Sequence, residues 1–225
     1  MFTFLVGKNH KPFNIHSELL RTQSPPLHAL MNNDQMEESR VGVAVLEDDE
    51  VEVFNAFCHY AYTGVIHSPV IALQTVYPDQ SGDATMEDSD EDDENKQKAK
   101  PIFSSRNLKF YAQLYFFATK YLFEDLRACA RHHVWEILTD DDGFGGNAAV
   151  YLDFLKYVYE NTSCDEPGGS LLRITVTSFI SDYLTRADKK LPFEELFLSG
   201  GEVTRDVVYR LLATINDTGK ESDSD

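Results

Sequence analysis

Segments with a β-strand pattern occur only near the start of the chain, and this limits the fold more than any other sequence feature. Phe2–Val6 is rich in β-forming residues, Gly7–Asn9 supplies turn chemistry, and Pro12–Ile15 alternates apolar and polar residues. Together they predict a hairpin. Val41–Leu46 has alternating valines and predicts a third strand. Only a small three-stranded sheet can form, so the sequence predicts an α+β fold.

Most of the remaining chain carries apolar residues at helical spacing. Asp48 or Asp49 can cap one of these helices, and Thr63–Gly64 can end it. Thr204 is predicted to cap the last helix, which ends near Ile215. The apolar stripes of the predicted helices are Val53, Phe54, Phe57, Tyr60 and Ala61; Leu108, Tyr111, Leu114, Tyr115 and Ala118; Leu122, Leu126, Ala130, Val134 and Ile137; Tyr151, Phe154, Leu155 and Val158; Leu172, Val176, Phe179 and Tyr183; and Val207, Val208, Leu211 and Ile215.

An acidic segment at about residues 79–104 interrupts this pattern and contains the run Asp83–Glu94. It has too few apolar residues to offset the entropy of ordering, so we predict that it is disordered. Neither of the flanking segments looks like a complete domain by itself. We therefore interpret the acidic segment as an insertion within one domain of residues 1–137. A helical extension at 138–215 and a disordered acidic tail at 216–225 are predicted to follow.

The chain holds 38 acidic and 20 basic residues, which gives a formal net charge of -18. This charge disfavours nucleic acids and anionic membrane surfaces as partners, because both are bound through lysine and arginine. It favours basic proteins instead. The run Asp83–Glu94 is either a soluble spacer or a docking strip for such a protein, tuned by phosphorylation of Thr85 or Ser89.

The cysteine pattern predicts a reducing compartment. Cys58, Cys129 and Cys164 are odd in number and widely spaced, which is untypical of a disulfide framework. Met1–Lys11 lacks the basic-then-apolar pattern of a signal peptide, and no apolar run reaches the roughly 20 residues that cross a bilayer. We therefore expect a cytoplasmic or nuclear protein.

No residue pattern predicts a catalytic centre, a cofactor site or a metal site. His16 lacks a recognisable nucleophile and orienting acid, which favours a structural role. Cys129 and the neighbouring His132–His133 pair lack the second ligand pair that zinc needs. Asp140–Gly143 does not fit the ligand spacing of a calcium-binding EF-hand loop.

Several further motifs occur within residues 1–137, namely Phe13–His16, Leu19–Leu20, Ser24–Pro25, Met36–Ser39, Val45–Asp49, Tyr60–Gly64, Leu108–Tyr111 and Ala118–Tyr121. Their order and spacing are those of the BTB/POZ family, and over about Met1–Ile137, apart from the acidic segment, the chain resembles that family. Leu171–Arg173 and Gly200–Glu202 resemble the helical extension of fungal-type BTB proteins. No zinc-finger or Kelch segment follows, so the resemblance is to a stand-alone module.

The resemblance implies a BTB/POZ fold, with a small three-stranded sheet, a helical cluster and an all-helical extension. It also implies a protein-interaction module that performs no catalysis and forms homo- or hetero-oligomers. Our candidates for a family-style homodimer surface are Phe2, Phe4, Leu19 and Leu20. His16 resembles the family's buried histidine at a strand–helix junction.

Met36–Glu38 resembles the hydrophobic-x-acid motif with which some BTB domains bind a cullin scaffold. An exposed apolar anchor fills a partner pocket, and a nearby carboxylate fixes the register. Met36 and Glu38 would then make the chain a substrate adaptor of a cullin-type ubiquitin ligase. In the alternative, Met36 packs on its own domain and Glu37–Glu38 are solvated. A third interpretation is an acidic binder of basic nuclear proteins.

Overall fold

The computed structural model describes residues 1–67, 105–139, 148–165, 170–185, 198 and 200–221. The predicted acidic insertion, the loop at 140–146 and residues 222–225 of the predicted tail lie outside the described residues. In chain order, the described elements are β1 (Phe2–Val6), β2 (Lys11–Ile15), a 3-10 helix (Ser17–Leu20), α1 (Pro25–Asn32), α2 (Glu37–Val41), β3 (Val43–Leu46), α3 (Val51–Thr63), α4 (Ser105–Lys120), α5 (Glu124–Thr139), α6 (Ala148–Glu160), α7 (Leu171–Thr185) and α8 (Gly201–Glu221).

The sheet has the strand order β2-β1-β3, so β1 is its central strand. β1 and β2 form the predicted antiparallel hairpin, with Phe2 opposite Ile15 and Val6 opposite Lys11. β1 and β3 run parallel. Parallel strands need a crossover connection, and the 3-10 helix, α1 and α2 supply it. The predicted α+β fold with a small three-stranded sheet is confirmed.

The third strand is shorter than predicted because the short helix α2 takes its first residue. Val41 is the last residue of α2 and not the first residue of a strand. Gly42 ends this helix in the left-handed conformation, with φ at 76°, which glycine adopts without strain. The carbonyl oxygen of Gly42 then accepts a hydrogen bond from the Thr3 amide at 3.0 Å, which places β3 beside β1.

Two helices, α3 and α8, also differ from the prediction at their ends. Helix α8 begins at Gly201, so Thr204 lies inside it and does not cap it. Glu50 precedes α3, and its side chain makes no capping hydrogen bond, so neither Asp48 nor Asp49 caps this helix. The last helix, α8, continues past Ile215 to Glu221, into the segment predicted as a disordered tail. Gly64 ends α3 as predicted.

An aromatic cluster joins the sheet to the helices on both sides of the acidic segment. We define it as Phe4 of β1, Phe54 and Phe57 of α3, Phe117 of α4, and Phe123. The Phe54 ring lies 5.4 Å from Phe4 and 5.8 Å from Phe117, and the Phe57 ring lies 5.0 Å from Phe117 and 5.7 Å from Phe123. All five side chains are buried. Each such pair contributes about 0.5–1.5 kcal/mol beyond the burial of apolar area.

Three polar contacts connect the same parts of the chain. The Ser24 hydroxyl, fully buried, donates to the Tyr121 carbonyl oxygen at 2.6 Å. The Asp49 carboxylate accepts from Lys120 Nζ at 3.0 Å and from the Tyr121 hydroxyl at 2.6 Å. Burial, and then the hydrogen bond to Asp49, raise the pKa of the Tyr121 hydroxyl, so Tyr121 stays protonated and donates. We call Ser24, Asp49, Lys120 and Tyr121 the polar joint.

The helices after residue 105 pack against one another and extend the core. α4 and α5 form a helical hairpin, α6 packs on α4, α7 packs on α5, and α8 packs on α7. The buried Tyr151 hydroxyl of α6 donates to the Val176 carbonyl oxygen of α7 at 2.7 Å. None of the helices in the described part of the chain has the length and hydropathy needed to span a membrane.

The polar joint gives a stability prediction. Replacing Asp49 by asparagine removes the charged acceptor of Lys120 and Tyr121, and we expect a loss of about 1–3 kcal/mol in the free energy of unfolding. Asp48→Asn removes the same charge from an exposed neighbour and should change stability little. Urea unfolding of both variants measures the difference. Equal effects would show that the contact with α4 contributes nothing specific.

Candidate protein-interaction surface

Met36 and Glu38 lie at the start of α2, at the surface of the domain. Both side chains are half-buried, and Glu37 between them is exposed. The Met36 amide donates to the Asn33 carbonyl oxygen at 2.8 Å, and the Ser39 hydroxyl donates to the Met31 carbonyl oxygen at 3.1 Å. These bonds hold the turn against α1. A thioether and a carboxylate are therefore presented on a fixed backbone.

Three of the four residues predicted for a homodimer surface lie in the core. Phe2 is 4% exposed, and Phe4 and Leu20 are fully buried, while Leu19 is half-buried. The prediction placed them on a surface. The structure places Phe2 and Phe4 on the face of the central strand that packs against the helices. Of the four side chains, Leu19 alone keeps enough exposed surface to contact a partner. Dimerisation itself stays a prediction.

The opposite face of the sheet carries apolar residues that sequence reasoning missed. Leu5 is paired with Pro12 on one side and with Val45 on the other, and Val43 lies two residues before Val45. Val45 is 50% exposed, Pro12 is exposed, and Leu5 and Val43 are half-buried. We call these four residues the outer sheet face. The alternation along β1 could have revealed this face, because a buried Phe4 places Leu5 on the opposite side of the sheet.

His16 is exposed and not buried as the resemblance implied. Its backbone amide donates to the Tyr62 hydroxyl oxygen at 3.2 Å, and its Nδ1 lies 2.8 Å from the same oxygen. This pair joins the end of β2 to the last turn of α3. The exposure of His16 differs from the burial that the resemblance implied, but its contacts are those of a structural residue.

The cysteines are free thiols in the structure. Burial raises the pKa of the Cys58 thiol to about 12, which keeps it protonated and unreactive near neutral pH. Burial, and then the Glu136 carboxylate, also raise the pKa of the Cys129 thiol. Cys164 is exposed.

Metal binding has no support in the described part of the chain, where no group of three or more potential ligands comes together. His132 and His133 instead face the Glu136 carboxylate, at 3.4 Å and 2.9 Å. His133 also stacks on Tyr111 with 4.7 Å between the ring centroids. The pattern Asp140–Gly143 lies outside the described residues.

Arg173 brings together the two motifs predicted as a helical extension. Its Nη1 lies 2.8 Å from Glu202 Oε2, and its Nε donates to Thr162 Oγ1 at 2.8 Å. Its Nη2 donates to the carbonyl oxygens of Tyr159 and Thr162, and its guanidinium lies 4.3 Å from the centre of the Tyr159 ring. The Tyr159 hydroxyl donates to Asp206 at 2.9 Å. One buried cation thus connects α6, α7 and α8.

Comparison with known families identifies the first part of the chain. Residues 2–79 match the family model of the BTB/POZ domain. These residues form a BTB/POZ domain. Such domains are protein–protein interaction modules and are generally non-catalytic. No curated protein matches the chain.

The match confirms the resemblance found in the sequence for the sheet and α1–α3. The helices α4–α8 lie beyond it. The fungal type and the identity of the extension stay predictions. Met36, Glu38 and the outer sheet face all belong to the BTB/POZ domain, so the candidate interaction residues lie within the module known for this role.

Arg173 gives a second prediction. Arg173→Met removes a buried cation from four acceptors, and we expect a loss of about 2–4 kcal/mol in the free energy of unfolding. The amides of α8 should also lose protection in hydrogen exchange. The matched variant Arg205→Met removes an exposed guanidinium from α8 and should leave both readouts almost unchanged. An undiminished protection of α8 in Arg173→Met would contradict the proposed connection.

Proposed function

We propose that this chain is a protein-interaction scaffold or adaptor that oligomerises through its BTB/POZ domain and performs no catalysis. The observation that carries the proposal is the match of residues 2–79 to the BTB/POZ domain, a family of protein–protein interaction modules. The outer sheet face supports self-association. It offers apolar side chains on an edge strand, since within the described residues β3 pairs with β1 alone.

A second candidate is a substrate adaptor of a cullin-type ubiquitin ligase. It is favoured by the placement of Met36 and Glu38, since both side chains keep exposed surface on a turn held by backbone hydrogen bonds. Val41, at the other end of α2, is 65% exposed and adds apolar surface beside the turn. In this role, the helices after residue 147 help to bind the substrate.

A third candidate is an acidic binder of basic nuclear proteins in the nucleus or cytoplasm. The net charge of -18 supports it, because such a field attracts basic partners. The acidic run Asp83–Glu94, on which it depends, lies outside the described residues.

One co-precipitation experiment with three baits tests these candidates. The baits are a differently tagged copy of the chain, a cullin scaffold and core histones.

We expect Val45→Glu to reduce recovery on the second copy alone, because it places a charge on the outer sheet face. We expect Met36→Ala/Glu38→Ala to reduce recovery on the cullin alone by roughly tenfold or more, since truncated interface anchors cost several-fold to many-fold in affinity. Deletion of residues 83–94 and added salt should reduce recovery on histones alone.

The matched control is Val65→Glu, which places the same charge at a valine that is 54% exposed after α3. It should bind all baits like the wild type. Equal recovery of wild type and Met36→Ala/Glu38→Ala on the cullin removes the second candidate. Failure of the wild type to bind a second copy or any partner contradicts the main proposal.

A further inference from the structure

A groove crosses the helices that follow the BTB/POZ match. Its first part is a cavity of about 360 Å³ between α5 and α7, lined by Arg131, His132, Trp135, Ile174, Thr175 and Ser178. A second cavity, of about 210 Å³, lies between α7 and α8, with Tyr209 and Arg210 among its lining residues. Ile174 lines both cavities. We call these two cavities and the Ile174 ridge between them the C-terminal groove.

Apolar surface lies along the C-terminal groove. Ile174 is 40% exposed, Tyr209 is 73% exposed and Trp135 is half-buried. A polypeptide that crosses the ridge can place one side chain in each cavity. Aromatic residues around a concave site are typical of surfaces that bind peptides.

Arg131 determines which kind of ligand the C-terminal groove favours. Within the described residues its guanidinium has no ion pair or hydrogen bond, and its Nε is buried without an acceptor. A buried unsatisfied donor costs about 1–3 kcal/mol, and more when it is charged. A carboxylate that enters the cavity would satisfy this donor with a charge-assisted hydrogen bond.

The rest of the lining holds more arginines than carboxylates. The two cavities are lined by three arginines and one carboxylate, whereas the whole chain has 38 acidic and 20 basic residues. That carboxylate, Asp206, already accepts from Tyr159 and Arg205. Arg173 is likewise paired with Glu202, which leaves Arg131 as the lining cation without a described partner, and its charge complements an acidic ligand.

We propose that the C-terminal groove binds an acidic peptide segment of a partner protein. A carboxylate of the peptide binds Arg131, and a neighbouring apolar side chain fills the cavity between Trp135 and Ile174. The site lies on α5, α7 and α8 and goes beyond the proposed function, because it needs neither the outer sheet face nor Met36.

The test uses the full chain and a random peptide phage library. We expect the selected peptides to carry Asp or Glu next to an apolar residue. The best selected peptide without tryptophan is then titrated into the chain, and the emission of Trp135, the chain's single tryptophan, reports binding directly. Arg131→Gln should weaken this binding roughly tenfold or more, as expected for loss of a charge-assisted hydrogen bond. Ser178→Phe should block it by filling the cavity.

Circular dichroism melts show whether the variants are folded. Arg21→Gln removes the same charge from an exposed arginine near β2 and should bind like the wild type. The proposal is overturned if no peptide is selected, if the selected peptides lack acidic residues, or if Arg131→Gln and Ser178→Phe bind normally. A change in Trp135 emission on deleting residues 83–94 would identify the chain's own acidic run as the occupant. A change with protein concentration would identify a second copy. Either result also overturns it.

Discussion

Phe117 and Tyr121 make the contacts that join the helices from residue 105 to residues 1–67, and the arrangement of the described residues depends on them. Phe117 packs against Phe54 and Phe57 of α3, and Tyr121 binds Ser24 and Asp49 through its carbonyl oxygen and its hydroxyl. The apolar contacts supply most of the stabilisation, because hydrophobic burial outweighs a few hydrogen bonds. The hydrogen bonds fix the orientation, since their donors and acceptors are buried and must be satisfied.

These contacts also determine which face of the sheet stays available for the proposed interaction. Because α3 packs on one face of the sheet and α4 packs on α3, Phe4 lies in the core. On the opposite face of the sheet, Leu5 and Val45 keep exposed surface. The helices after α4 continue the core through α6 and α7, and Arg173 then connects them to α8. The two surfaces that we propose for interaction, one in the BTB/POZ domain and one at the C-terminal groove, thus belong to one connected fold.

The sequence predicted the parts of this structure that depend on local patterns. The hairpin, the end of α3 at Gly64 and most of the apolar stripes of the described helices follow from short-range periodicity. Leu122 is an exception, since it is exposed and lies between α4 and α5. The sequence pattern missed α2, because five residues give too short a period to recognise. The family resemblance placed Phe2 on a surface, and the sequence pattern did not correct this, because alternation shows that two faces differ but not which one the helices cover. The contact of Arg173 with Glu202 joins distant residues, and local patterns hold no information on such pairs.

The central claim is that residues 1–67 and the helices from residue 105 form one folded unit. The most direct measurement is to introduce a specific protease site between residues 83 and 94, cut the purified chain there and determine its mass under native conditions. The account predicts that both fragments stay together at the intact mass of 25.6 kDa and unfold in a single transition. Fragments that separate without denaturant, or that unfold independently, would contradict it.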